Sequence, residues 1–419
     1  MADTAGGATL PRRPLPIGAF PLPFGYLLLP DTEQARPVRE SLLAGRAPGE
    51  WPDALHGHAH ALRGDLAGAL AAFGGDDPVN RYNRFVLDPD SVDVPGLRAD
   101  LGWPFAVLVD VVLVSLGRSD APPAVDGLDG ELAAMALAAS AALHLEQDAP
   151  SVAAELLDRA VQETRSSYPA LAGVLCGAAA SAHRCAGQVS QARAALESGL
   201  VLLAGTDLST ASGELHLEIG SLLHEGAAQR PDQLAKAVHH YHCVLQTIRS
   251  DDAPELFAAA HANLASAYLT MPMVEASDQL RLGVAIGSLR AALTVYQPDA
   301  HPARWSSTQL NLANALVYAP STHQAENLVE AVELYEAVLR VRDRGEDPVG
   351  YARVLANQGN ALAHLGLFEQ ARGKLVESRH LFEVMQEYDA TASVGGLLDE
   401  LDRQVAVRDA GSRQAGGPP

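Results

Sequence analysis

A chain of 419 residues with 51 acidic against 30 basic side chains carries a net charge of −21, which opposes a phosphate backbone and excludes nucleic acid as the main partner. A hydrophobic fraction of 48% with only 5% aromatic residues suits a core of Ala and Leu on stacked helices, and such a stack lengthens by repetition without dividing into domains. Cys176, Cys185 and Cys243 form no Cys-x-x-Cys pair and leave one thiol over, so reduced cysteines in a cytoplasmic protein are expected.

Residues 1–45 are expected to form a Pro-rich extended segment followed by a lead helix over 32–44. Prolines interrupt any apolar run behind Arg12 and Arg13, so no signal peptide is expected. Phe20, Phe24, Tyr26 and residues 27–29 are expected to pack on the first hairpin; the alternative is a self-ligand lying in the groove. Residues 46–118 are divergent hairpins, the first marked by Gly57, Gly64, Ala69 and Phe73. Within them, 78–96 holds Arg81, Arg84, Tyr82 and Phe85 among turn formers, and an irregular insertion or binding loop is expected there. The apolar run 104–116 contains Asp110 and is too short to span a bilayer, so no membrane insertion is expected; a divergent helix is expected over 103–117. Residues 119–127 are expected to be a flexible joint ahead of a main array at 128–390.

In that array a hairpin is expected over 132–161, and Ala180, Gly187, Ala192 and Leu196 mark the next. Gly220 with Ala237, Tyr241 and Leu245 marks another. Three fuller copies begin at Pro254, Pro302 and Pro348, since Pro suits the first helical turn, where its missing N–H leaves nothing unmade. Each carries an Asn (Asn263, Asn311, Asn357), a small residue two later (Ala265, Ala313, Gly359) and a second Ala two after that. The last copy is the clearest. Leu355, Gln358, Gly359 and Leu362 form one stripe, Phe368, Ala371, Leu375, Ser378 and Phe382 another, and Leu365 with Gly366 supplies the turn. Extra residues are expected at 271–282 and 320–328. A capping helix is expected over 391–408 and a disordered tail over 409–419, giving about seven or eight hairpins in all.

The set Gly359, Leu362, Gly366, Phe368, Ala371 and Ser378 resembles the tetratricopeptide repeat (TPR) family, here of bacterial type, with Gln358 and Leu375 standing where that family prefers Leu and an aromatic. The resemblance implies an all-α, right-handed superhelical solenoid of TPR-like helical hairpins, non-enzymatic, with a concave groove lined by the first helix of each pair. It implies that Ser181, Ser221, Ser266, Asn314 and Asn360 form a polar ladder in that groove, with Asn263, Asn311 and Asn357 one turn earlier. Side-chain amides can donate to and accept from a peptide backbone together, or else bridge neighbouring helices. Leu310 and Arg353 complete the expected peptide-binding set. Ala262, Leu310 and Ala356 stand where a carboxylate clamp of this family needs Lys, so an internal peptide or a partner helix is expected in the groove.

His239, His242 and Cys243 in HHYHC stand at helical spacing, and imidazole with thiolate would suit zinc, nickel or copper. Ala237 and Tyr241 are expected to face inward, which turns these groups to the convex side, and no metal or other cofactor is expected. His56 and His60 form a second such pair without a completing ligand. No phosphate loop, HExxH or GxSxG is present. A scaffold holding a protein segment is therefore expected. The alternative is an accessory or maturation factor for a metalloenzyme complex of hydrogenase type, carrying a metal through residues 239–243.

Overall fold

The computed structural model describes residues 27–228, 230, 232–272, 278–319 and 323–415, together with 3–5, 8–10 and 15–16. The chain divides into two units, Met1–Leu222 and Leu223–Pro419.

The first unit opens with short antiparallel pairings, β1 (Asp3–Ala5) with β2 (Ala8–Leu10) and β3 (Leu15–Pro16) with β4 (Leu28–Leu29). Helices follow: α1 (Arg36–Leu43), α2 (His56–Leu62), α3 (Leu66–Ala72), α4 (Pro78–Leu87), α5 (Val94–Leu101) and α6 (Val107–Ser115). Full hairpins then pair α7 (Gly130–Glu146) with α8 (Pro150–Thr164) and α9 (Pro169–Cys185) with α10 (Val189–Leu203), and α11 (Ser209–Glu225) runs into the unit boundary. The second unit has α12 (Asp232–Thr247), then α13 (Pro254–Thr270) with α14 (Asp278–Leu293) and α15 (Pro302–Tyr318) with α16 (Gln324–Val341). It ends on α17 (Pro348–His364) with α18 (Phe368–Val384), and α19 (Tyr388–Ala415) packs on α18. The helical part of each unit is thus a stack of TPR-like hairpins. No helix among the described residues is long and apolar enough to cross a membrane.

Local chemistry explains the hairpins. Pro254, Pro302 and Pro348 each sit in the first turn of a helix, and Asp347 caps α17 by accepting the Gly350 N–H at 2.8 Å. Gly366 closes the α17–α18 turn at φ +75, and Asp148 takes the same left-handed role between α7 and α8 at φ +56. Gly359 sets the distance between α17 and α18, because a Cβ there would stand 2.8 Å from Leu375 Cγ and 3.2 Å from the Ala371 carbonyl. Gly359→Val is expected to destabilise the second unit by about 2 kcal/mol, the cost of overpacking exceeding the gain in helix propensity. Chemical denaturation with and without the substitution, both in a Trp51→Phe/Trp103→Phe background that leaves Trp305 of the second unit as the sole tryptophan reporter, would detect it; an unshifted midpoint would show that Leu375 yields freely.

Gln358, at the position where the family prefers Leu, is 2% exposed, and its amide N–H donates to Glu336 Oε2 at 2.9 Å and to the Val332 carbonyl at 3.3 Å. That bond and the Lys374 ammonium hold the Glu336 carboxyl below its usual range. The amide nitrogen of this residue is thus satisfied between α16, α17 and α18, whereas its buried Oε1 meets no partner among the described residues.

Several expectations change. Residues 78–96 are not an irregular insertion: Asp77 accepts the N–H groups of Val79 and Asn80 at 3.1 Å, Pro78 opens α4, and α5 follows from an Asp93 cap. Nor is 119–127 a boundary, since one apolar core extends from Leu27 through Val112 and Met135 to Cys176, and the division falls inside α11 instead. The final helix continues to Ala415, past the start of the expected tail, and residues 416–419 lie outside the described residues. Of the two connections expected to hold extra residues, 273–277 and 320–322 also lie outside them.

The lead segment is held at both ends. Leu27 to Leu29 are buried at 1%, 0% and 1% exposure, whereas Phe20, Phe24 and Tyr26 lie outside the described residues. Asn83 of α4 accepts the Leu28 N–H at 2.7 Å and donates to the Leu28 carbonyl at 2.9 Å, pairing with its backbone as a neighbouring strand would. His58 Nε2 lies 2.9 Å from the same carbonyl, and its ring meets Phe73 edge-on. At the other end, Asp207 in the α10–α11 turn accepts the Ala47 N–H at 2.9 Å and donates its own N–H to the Gly45 carbonyl at 2.8 Å.

Candidate functional site

The first helices of successive hairpins, the A helices, touch one another directly: α7 meets α9 in the first unit, and α13 meets α15 and α15 meets α17 in the second. Their outward stripes therefore form a continuous face in each unit.

In the first unit this face opens between α9 and α11 into a cavity of about 450 Å³. Val174, Gly177 and Ala178 form its α9 wall, Leu215 and Leu217 its α11 wall, and Leu196 reaches it from α10. The approach of the two A helices is set by Gly177, where a Cβ would stand 3.1 Å from Leu215 Cδ2. Ser181 lines the cavity and is exposed, and the free Cys185 lies beside it. Arg184 bridges the two helices by donating to Glu218 Oε2 at 2.8 Å. Glu214, one turn earlier on α11, has no such partner; although the residue is exposed at its edge, burial of the carboxyl among the apolar walls pushes its pKa up. Cavity, ion pair and lone carboxylate were not foreseen from sequence. The available signal was Glu214 and Glu218 at a spacing of four on an A helix, opposite the small pair Gly177 and Ala178.

In the second unit the Asn residues divide into two groups. Asn314 Oδ1 accepts the Tyr335 hydroxyl at 2.7 Å and the Asn357 amide at 3.0 Å, which ties α15 to both α16 and α17. The apolar surroundings of Tyr335 push its phenol pKa up, so it remains a donor. Asn311 and Asn360 are half-buried on the same helices and form no side-chain hydrogen bond to another described residue. Leu310 and Ser266 are half-buried beside them and Arg353 is exposed. Ser221 in α11 returns its hydroxyl to the Leu217 carbonyl at 3.0 Å.

The histidine cluster does not converge. Cys243 Sγ lies 3.7 Å from His239 Nε2, but His242 turns to the Tyr268 hydroxyl at 3.1 Å, and burial pushes the Cys243 thiol away from the thiolate form. His60 takes Asp65 at 2.8 Å while His56 faces Asp53. Among the described residues no three His, Cys, Asp or Glu side chains stand together as a metal would require.

No family model and no curated protein matches the chain. Among solved structures it is similar to a Rap protein complexed with competence and sporulation factor, at 12% identity and TM-score 0.42, over 84% of this chain and 98% of that one. It is also similar to the TPR2AB domain of yeast Sti1 in complex with pHSP90, at 13% identity and TM-score 0.23, over 73% of this chain and 96% of that one. A third likeness is to the APC/C hetero-tetramer Cut9-Hcn1, at 12% identity and TM-score 0.27, over 83% and 86%. At these identities and TM-scores the likenesses carry no argument about this chain.

Proposed function

We propose that this array of TPR-like hairpins is a non-catalytic scaffold that holds a segment of a partner protein against its A-helix face. The observation that carries the reading is the cavity between α9 and α11, apolar on both walls with Ser181 and charged groups at its rim, the composition that suits a side chain inserted from a bound chain. In the second unit, Asn311 and Asn360 present open amides on a face that Tyr335, Asn314 and Asn357 hold rigid, which suits contact with a partner's backbone. The three free thiols suit a reducing compartment such as the cytoplasm.

The test is affinity capture from the source cell with wild type, Ala178→Trp, Asn311→Ala/Asn360→Ala, and, as control, Val201→Ala at an exposed position of the B helix α10 that does not line the cavity. Ala178 is exposed, so a tryptophan there fills the cavity without entering the core. The groove variant is expected to lose a partner that the wild type and the control retain, by on the order of tenfold in recovery. Circular dichroism should show equal helicity in all four. Retention of every partner by the folded groove variant would move binding away from this face.

A further inference from the structure

We propose that the α9–α11 groove receives a lysine or arginine side chain of the bound segment, with Glu214 as its counter-charge; this rests on the A-face reading above and specifies its chemistry. Of the two carboxylates in the groove, Glu218 is neutralised by Arg184 at 2.8 Å, whereas Glu214 faces no basic side chain among the described residues. Val174, Leu215 and Leu217 line the same groove as Glu214 with apolar surface. A lysine or arginine matches that lining, because its methylene stem packs on the aliphatic walls while its charged head meets the carboxylate beside them. Neither a purely aliphatic side chain nor a carboxylate does so. The first leaves Glu214 without a partner, and the second meets Glu214 and the occupied Glu218 as like charges.

Burial disfavours the ionised form of Glu214, and a cation brought alongside the carboxylate favours that form. The net charge of −21 draws basic segments toward the chain before contact. Arg184 limits the position: it already spans α9 to Glu218, so the incoming cation enters one helical turn away, beside Glu214.

The experiment uses the full chain and four pools of short fluorescein-labelled, capped peptides that differ only in one fixed central residue: Arg, Lys, citrulline or Glu. Citrulline keeps the shape of arginine without its charge. In fluorescence anisotropy the Arg and Lys pools are expected to bind at least about tenfold more tightly than the citrulline and Glu pools. Glu214→Gln is expected to bring that preference to within about twofold, and Ala178→Trp to weaken all pools together. Equal binding of the Arg and citrulline pools, or a preference that survives Glu214→Gln, overturns the charge pairing; if Ala178→Trp still abolishes binding, the groove reading stands without it. Binding insensitive to Ala178→Trp, or no binding by any pool, overturns both.

Discussion

Replacing Asn83 by alanine is expected to destabilise the Met1–Leu222 unit by about 3 kcal/mol. Asn83 is fully buried and meets Leu28, equally buried, at both its N–H and its carbonyl. Truncation leaves the Leu28 N–H without its 2.7 Å acceptor and opens a void where the carboxamide stood, while His58 still serves the carbonyl at 2.9 Å. One orphaned buried donor costs about 1–3 kcal/mol, and the void adds to it. Asn83→Asp should be no better near neutral pH, since it keeps the acceptor but sets a buried carboxylate against the Leu28 carbonyl. Hydrogen exchange suits the measurement, because unfolding of a chain with two units need not follow a single transition. Amides of 27–29 and α4 should exchange about a hundredfold faster in Asn83→Ala than in wild type. Unchanged protection would mean that the strand is held by its apolar contacts alone.

The second large effect is a pH dependence from His58. The ring is 2% exposed, and burial pulls its pKa from 6.5 down to about 4, against the opposing pull of the Leu28 carbonyl. Nε2 must carry the single proton to donate to Leu28, and buried Nδ1 has no acceptor for a second. Because the folded state binds this proton more weakly than the unfolded chain, the contribution is complete above about pH 6.5 and is lost as pH falls toward about 4. Between pH 8 and pH 5 the loss amounts to about 2 kcal/mol. His58→Gln retains a donor for Leu28 and removes the titration, so the melting transition of the Met1–Leu222 unit should fall further over that interval in wild type than in the variant. The carboxylates common to both proteins cancel in the comparison. Parallel curves would place the His58 pKa near its unfolded value.

From Gly130 to the capping helix, the hairpins follow from information within each repeat. Apolar residues three and four apart select helices, Pro254, Pro302 and Pro348 start them, Gly366 stops one, and Gly359 opposite Leu375 sets the distance between partners. Each hairpin packs chiefly on its sequence neighbours, so local pattern sufficed there. The 78–96 segment was readable by the same means, from Asp77 before Pro78, but its turn formers outweighed that cap.

Tertiary structure alone decided three things. It joined Leu28 to Asn83 and His58 across long stretches of chain, which no periodicity encodes. It divided the asparagines, committing Asn314 and Asn357 to bridging helices and leaving Asn311 and Asn360 open, although all four occupy equivalent sequence positions in pairs. It also brought Gly177 and Ala178 opposite Leu215 so that a groove remained, with Arg184 taking Glu218 and not Glu214. Helical periodicity records which face of a helix is buried; what that face meets, and which of two carboxylates one turn apart an arginine reaches, depends on distances between helices that only the packed chain sets.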